Sequence, residues 1–172
     1  MTSTEPLDGA FALPDGTLIR GRGRREPLPA GPQPDFGLYL GKAASLRDKI
    51  LGRTLWRPDW PAEWVDWPDF GTPRDDDAAA AAIEGAYLLA RAGQRVEVAC
   101  GGGTGRTGTV LACMAILGGH PGEDALTWIR QNYRPHAVET LGQRRWIRWY
   151  ASRARSSAEQ DDQRHQRDDQ GG

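Results

Sequence analysis

The stretch that decides the fold is residues 95–117, which read RVEVACGGGTGRTGTVLACMAIL. Val96 and Val98 lie on one face of a short predicted strand, and residues 107–117 are apolar on most sides, which predicts a central helix. The turn between these elements is rich in glycine. Because glycine has no Cβ, successive backbone N–H groups can point inward and bind an anion at the start of a helix. The stretch therefore predicts a strand, an anion-binding loop and a helix.

The same order of elements occurs upstream. Residues 63–67 alternate between polar and apolar side chains, as a strand does, and three aspartates precede a predicted helix over 78–91 that Gly93 ends. Two strands joined by a helical crossover are normally parallel neighbours, and their carboxyl ends share one edge of the sheet. We therefore expect an α/β fold with a central, mostly parallel sheet flanked by helices. The turns after Trp67 and Ala99 should lie side by side.

The ends of the chain differ in composition from its centre. With 172 residues, the chain fits one domain of typical size. Residues 1–16 are polar and broken by Pro and Gly, which predicts a flexible N-terminal arm, and the domain is expected over residues 17–151. Residues 152–172 are nearly all charged, Gln, Ser and Gly, and we expect a disordered tail there. The basic run from Arg20 to Arg25 is interpreted as a solvated loop.

Charge and hydropathy exclude several classes of protein. The 22 Lys and Arg residues nearly balance the 23 Asp and Glu residues, which argues against nucleic acid or an anionic membrane as the main partner. The longest apolar run, residues 110–117, is far shorter than the roughly 18 residues that span a bilayer. The first residues do not resemble a secretory signal, so a cytoplasmic location is expected. The cysteines and histidines share no metal-ligand spacing, and we expect no metal and no cofactor.

Cys100 is the first residue of the glycine-rich loop, so its sulfur is expected beneath a bound anion. The loop amides and Arg106 favour a thiolate, which is the nucleophilic form, and the Thr107 hydroxyl is expected to donate a hydrogen bond to the sulfur. A tight structural connection is one alternative. A nucleotide-binding loop, GxxxxGK[ST], is another, but Cys100 and Arg106 replace its first glycine and its lysine. Cys113, inside the helix, is expected to be inert.

The pattern Cys-x5-Arg-Thr-Gly resembles the phosphate-binding loop of the cysteine-dependent protein tyrosine phosphatases, in particular their compact bacterial or dual-specificity members. The resemblance implies a protein tyrosine phosphatase-like fold, with the loop between a strand and a central helix. It also implies phosphomonoester hydrolysis through a phosphocysteine intermediate. Ala99 stands where the family usually has a histidine. The residues expected to bind the phosphate are Gly101, Gly102, Gly103, Thr104, Gly105 and Arg106.

Two further segments resemble the same family. Trp67-Pro68-Asp69 is similar to the Trp-Pro-Asp loop, which implies that Asp69 is the general acid, carried on a mobile lid. Residues 134–143 resemble the segment whose glutamines orient the hydrolytic water, which implies that role for Gln143, whereas Glu139 replaces the first glutamine. A capping box formed by Thr140 and Gln143 would also explain this last pattern.

The substrate implied by the resemblance is phosphotyrosine in a protein, with phosphoserine and phosphothreonine as further candidates. Loop positions 101–105 carry no Lys or Arg, unlike the phosphoinositide-directed members, which argues against a lipid. The expected partner is a phosphorylated protein or a small phosphomonoester, and the chain is expected to be a monomer. Three alternatives stay open: a phosphate-binding pseudophosphatase with weak turnover, a phosphatase of non-protein phosphomonoesters, and a sulfurtransferase or redox protein that uses Cys100.

Overall fold

A mostly parallel sheet organises the protein, whose computed structural model describes residues 5–42, 50–52 and 56–169. Within these residues the sheet has five strands in the order β1-β2-β5-β3-β4. Strands β1 and β2 are antiparallel, and the remaining neighbours are parallel. This confirms the predicted α/β class. The strands are β1 (Phe11–Ala12), β2 (Leu18–Gly23), β3 (Phe36–Leu40), β4 (Ala62–Val65) and β5 (Val96–Cys100).

Helices flank the sheet and follow the predicted order. In the first of them, Asp75 accepts a hydrogen bond from the Ala78 N–H group and caps the helix, and Asp76 and Asp77 lie in its first turn. The second begins directly after the glycine-rich loop and is buried from Gly105 to Ala115, as predicted for a central helix. Among the helices that the structure describes, none combines the length and hydropathy needed to cross a bilayer. The helices are α1 (Asp76–Arg91), α2 (Gly105–Leu117), α3 (Ala125–Asn132) and α4 (Leu141–Asp169).

The strand order differs from the prediction at one point. Strands β4 and β5 were expected to be neighbours, but β3 lies between them and pairs in parallel with both. Leu38, Tyr39 and Leu40 are all fully buried, as suits a central strand, whereas β4 exposes its first two residues, as suits an edge strand. Since all three strands run in the same direction, their carboxyl ends still share one edge of the sheet.

The N-terminal segment is packed against the domain, which differs from the flexible arm expected over residues 1–16. Of the residues described there, Leu7 and Leu13 are buried, and β1 extends the sheet beside β2. The Phe11 ring stacks on the Tyr133 ring, with centroids 5.8 Å apart. The contacts of these three apolar side chains attach to the domain a segment that has little regular structure of its own.

The C-terminal segment is helical to Asp169, where a disordered tail was expected over residues 152–172. No Gly or Pro occurs between Gln143 and Gln170, and Ala, Arg, Gln and Glu are good helix formers, so nothing in the sequence ends α4 early. The helix leaves the core after Ala151, which is buried, and its side chains are exposed from residue 156 to residue 167. An ion pair between Arg153 and Asp77, 2.6 Å long, attaches it to α1.

Candidate active site

The glycine-rich loop connects the carboxyl end of β5 to the first residue of α2, with Cys100 at its start. Cys100 is buried, and its Sγ atom accepts a hydrogen bond of 3.1 Å from the Gly103 N–H group. Gly103 has φ of 76°, and a Cβ there would collide with the backbone of Arg22 and Gly23. Only glycine fits at this position, because both the conformation and the space exclude a side chain.

The carbonyl oxygens of the loop all have hydrogen-bond donors from other parts of the fold. This holds for every residue from Cys100 to Gly105, so the carbonyl groups are engaged outside the loop. With the carbonyl groups turned away, the loop peptides can present their N–H groups towards Cys100, as that of Gly103 does. N–H groups directed at one point are the arrangement that binds an oxyanion. The donors, in loop order, are the N–H groups of Arg24 (2.8 Å) and Arg25 (3.1 Å), Arg134 Nη1 (2.9 Å), the Tyr133 hydroxyl (2.5 Å), the N–H groups of Gly108 and Val138 (both 3.2 Å), and the Thr109 hydroxyl (2.7 Å).

Thr107 makes a different contact from the one predicted. Its hydroxyl oxygen accepts a hydrogen bond of 2.9 Å from the Cys100 backbone N–H group, whereas a bond donated to the sulfur was expected. Thr107 is fully buried in the first turn of α2, next to the strand end that carries Cys100. The hydroxyl thus ties the end of β5 to the start of α2 and fixes where the loop begins.

Arg106 brings the two predicted loops together. Its Nη1 atom donates to the Trp67 carbonyl oxygen at 3.0 Å and to the Leu40 carbonyl oxygen at 3.4 Å. Its Nη2 atom lies 3.0 Å from Asp69 Oδ1. The buried Nε atom has no hydrogen-bond partner within the described ranges. The guanidinium group therefore contacts the segment that carries Asp69, while the backbone of Arg106, the second residue of α2, directly follows the loop that carries Cys100.

Asp69 lies on a short segment over residues 67–73, which we call the lid. The Trp67 indole N–H group donates to the Gly71 carbonyl oxygen at 2.8 Å, and the Trp67 ring packs on the Trp146 ring, with centroids 5.1 Å apart. The Asp69 side chain is 52% exposed. Phe70 has φ of 57°, which is uncommon for a residue with a side chain, and its ring is largely exposed. The lid thus has a fixed base at Trp67 and a strained, exposed tip.

Gln143 contacts both the start of α4 and the lid. Its side-chain oxygen accepts hydrogen bonds from the backbone N–H groups of Glu139 (2.9 Å) and Thr140 (3.3 Å). Its backbone N–H group donates to the Thr140 hydroxyl oxygen at 3.2 Å. The capping box is therefore formed. In addition, Gln143 Nε2 donates to the Gly71 carbonyl oxygen at 3.4 Å. The Glu139 carboxylate lies against Gly105, where it would collide with a Cβ.

The first part of the basic run from Arg20 to Arg25, which was interpreted as a solvated loop, is instead part of the sheet, since β2 extends to Gly23. Arg20 and Arg22 are buried on β2, and both form ion pairs with the buried Glu97 of β5. Burial raises the pKa of the Glu97 carboxyl, but Arg22 and Arg20 outweigh burial, so that the pKa lies below its usual value. The Tyr39 hydroxyl donates to the same carboxylate at 2.8 Å. A signal for this network was present, since Arg20 and Arg22 are two apart and share one face of a strand.

Ala99, at the position of the family's usual histidine, pairs in register with Arg22 on one side and Tyr39 on the other. Both neighbours donate hydrogen bonds to Glu97, so polar side chains surround the strand end although Ala99 itself has no polar side chain.

Cys113 is fully buried, and burial raises the pKa of its thiol well above the ordinary value. The described residues contain no group of three or more His, Cys, Asp or Glu side chains arranged to hold a metal ion.

Comparisons with known proteins agree with this geometry. A family model described as "Swiss Army Knife protein, DSP-PTPase phosphatase domain" matches residues 71–164, a range that includes the Cys100 loop and Gln143 and begins after Asp69. An uncharacterised protein of Methanocaldococcus jannaschii is 36% identical over 120 residues, which are 62% of this chain and 80% of that protein.

Two solved structures share the fold. The active form of Tk-PTP aligns with a TM-score of 0.59 and 24% identity, over 84% of this chain and 97% of that one. Human DUSP28 aligns with a TM-score of 0.60 and 16% identity, over 86% of this chain and 99% of that one. Since the family match spans more than half of the residues, the chain belongs to the DSP-PTPase phosphatase domains of the Swiss Army Knife type, within the cysteine-dependent protein tyrosine phosphatase superfamily.

Proposed function

We propose that this chain hydrolyses phosphomonoesters through a phosphocysteine intermediate on Cys100. The observation that carries the proposal is that every backbone carbonyl oxygen from Cys100 to Gly105 accepts a hydrogen bond from a group outside the loop. We expect the loop N–H groups to bind the phosphoryl oxygens above the sulfur, while that of Gly103 donates to the sulfur itself. Fixed donors around a spread negative charge supply most of the catalysis in phosphoryl transfer.

In the first step, the Cys100 thiolate attacks phosphorus, a sulfur–phosphorus bond forms, and the bond from phosphorus to the leaving oxygen breaks. Arg106 and the loop amides bind the phosphoryl oxygens. Asp69 gives its proton to the leaving oxygen. The contact of 3.0 Å between Arg106 Nη2 and Asp69 Oδ1 supports these roles, because a phosphate bound by Arg106 would replace the carboxylate there and lie next to Asp69.

In the second step, water attacks phosphorus, the sulfur–phosphorus bond breaks, and Asp69 accepts the proton of the water. Gln143 is the residue proposed to orient that water. Its amide donates to the Gly71 carbonyl oxygen, so it lies beside the lid that carries Asp69. The neighbouring carboxylate of Glu139, against Gly105, is a second polar group on the same side of the loop.

Protein phosphotyrosine is the substrate that the family resemblance implies, and phosphoserine and phosphothreonine in proteins are further candidates. A non-protein phosphomonoester is the second candidate, and the arginines that surround the loop favour it. A cytoplasmic location and a monomeric state belong to the same proposal, and light scattering on the purified chain measures the second.

The test is hydrolysis of p-nitrophenyl phosphate by the wild type, Cys100→Ser and Asp69→Ala, with Cys113→Ser as the matched control for loss of a buried thiol. We expect Cys100→Ser to abolish turnover and Cys113→Ser to retain it. Acid quenching during turnover should trap one phosphate on Cys100, detected by mass spectrometry. Activity retained by Cys100→Ser would refute the thiol mechanism. A wild type that binds vanadate but hydrolyses nothing would instead indicate a phosphate-binding pseudophosphatase.

A further inference from the structure

Arg24 and Arg25 directly follow β2 and lie at the rim of the Cys100 loop. The backbone N–H groups of Arg24 and Arg25 bind the carbonyl oxygens of Cys100 and Gly101, which fixes both residues next to the loop. The Arg24 guanidinium lies over the Trp64 ring, 5.0 Å from its centroid. Positive charge is thus supplied to the loop by a neighbouring strand, although loop positions 101–105 contain no Lys or Arg.

Two glycines show how closely the guanidinium groups approach Arg106. A Cβ on Gly41 would lie 3.2 Å from Arg24 Nη2 and 3.4 Å from Arg106 Nη1. A Cβ on Gly101 would lie 3.4 Å from Arg25 Nη2 and 3.6 Å from Arg106 Nη2. Arg24 and Arg25 therefore flank Arg106, which is proposed to bind the phosphoryl group that is transferred to Cys100.

The charges of Arg24 and Arg25 lack the compensation that the other arginines of the site have. Arg20 and Arg22 pair with Glu97, Arg106 with Asp69 and Arg134 with Glu26. Within the part of the chain that the structure describes, no carboxylate pairs with Arg24 or Arg25, and the buried Nε atom of Arg24 has no hydrogen-bond partner. Burial and the charge of Arg106 lower the pKa of Arg24, which indicates a site that an anion would stabilise.

We propose that Arg24 and Arg25 form a second anion subsite, and that the preferred substrate is a small molecule with a second phosphate next to the one that is hydrolysed. This inference rests on the proposed function, since it specifies the substrate of the same site. A second phosphate that contacts these guanidinium groups beside Arg106 gains charge-assisted hydrogen bonds. The closeness of the three arginines favours two phosphates on adjacent atoms of one small molecule over phosphates on separate side chains of a peptide.

The test compares 2,3-bisphosphoglycerate with 2-phosphoglycerate and 3-phosphoglycerate, which differ from it by one phosphate. We expect kcat/KM for the bisphosphate to exceed that for each monophosphate by about tenfold. In the double variant Arg24→Gln and Arg25→Gln, this ratio should fall at least about fivefold, mainly through KM. The lysine variants at both positions should restore part of it. Arg91→Gln, an exposed arginine at the C-terminal end of α1, is the control and should leave the ratio unchanged.

Thermal unfolding of each variant shows whether it is folded, and binding to Cys100→Ser separates this inference from the proposed function. If p-nitrophenyl phosphate is not hydrolysed, the proposed function fails, and calorimetry still measures whether Cys100→Ser binds the bisphosphate more tightly than the monophosphates. Equal kcat/KM values in an active wild type, equal affinities in Cys100→Ser, or a preference that survives the glutamine variants would each overturn the subsite. A preference confined to doubly phosphorylated peptides would overturn the assignment to a small molecule.

Discussion

Replacement of Glu97 by glutamine should destabilise the fold by about 3–5 kcal/mol, because it leaves two buried guanidinium charges without a counter-charge. The carboxylate accepts four hydrogen bonds. Three of them end on Oε2, from Arg20 Nε (2.9 Å), Arg20 Nη2 (2.5 Å) and Arg22 Nε (2.8 Å), and one ends on Oε1, from the Tyr39 hydroxyl (2.8 Å). A glutamine amide offers one oxygen, and its NH₂ group would face donors.

Urea unfolding followed by tryptophan fluorescence measures this loss. With an m-value of about 2 kcal/mol/M, the midpoint should fall by roughly 2 M. Glu63→Gln, an exposed glutamate on β4, is the matched control and should change the free energy of unfolding by less than about 0.5 kcal/mol. A loss below about 1 kcal/mol for Glu97→Gln would refute the reasoning, since the two arginines would then be solvated or paired elsewhere.

The effect should also depend on pH in one direction. Because the pKa of Glu97 lies below the usual value of 4.5, its ionised form stabilises the folded state. That stabilisation is complete above about pH 4.5 and is lost as the pH falls through the lowered pKa of the folded state. The difference between the wild type and Glu97→Gln should therefore be largest near pH 7 and shrink in acid. A difference that grows in acid would contradict the assignment.

Three further substitutions test the loop and the lid. Gly103→Ala should abolish vanadate binding and p-nitrophenyl phosphate hydrolysis, because a Cβ there would collide with the backbone of β2. Gly119→Ala is the control: Gly119 has φ of 95° but open space around it, so the substitution should lower stability by only about 1–2 kcal/mol and keep the activity. Asp69→Asn should lower kcat/KM for an alkyl phosphate by about 10²–10⁴-fold and for p-nitrophenyl phosphate by less, since a poor leaving group needs the proton more; equal losses in kcat/KM would contradict its role as the acid. Trp67→Phe removes the bond to the Gly71 carbonyl oxygen and should lower kcat several-fold while vanadate affinity, measured by inhibition, stays within about twofold.

The phosphate loop could be predicted because its chemistry is local. A cysteine, closely spaced glycines and Arg106 act within one turn, and their spacing alone indicates where the amides and the sulfur meet. The position of Asp69 beside Arg106 was predictable for a different reason: parallel strands end at one edge of the sheet, and this holds whether or not the strands are neighbours.

The contacts that were missed depend on packing between distant segments. The insertion of β3 between β4 and β5 is decided by burial on both faces of the sheet, with Leu38 and Leu40 on one face and Tyr39 on the other, which a five-residue strand does not reveal. The arginines of β2 suggested exposure because the partner of Arg20 and Arg22, Glu97, lies far along the chain. The helix after residue 151 was not predicted because its polar composition is also that of disordered segments, and only the helix propensity of its Ala, Arg, Gln and Glu residues distinguishes it.

The donors that hold the loop carbonyl oxygens come from the end of β2, from α2 itself and from the segment between α3 and α4. The Cys100 loop is consequently preorganised. The conformational entropy of ordering it is lost when the protein folds, and little remains to be lost when an anion binds. Small oxyanions should then compete according to their charge and radius. Inhibitor affinity at Cys100 becomes a direct readout of how intact the surrounding tertiary structure is.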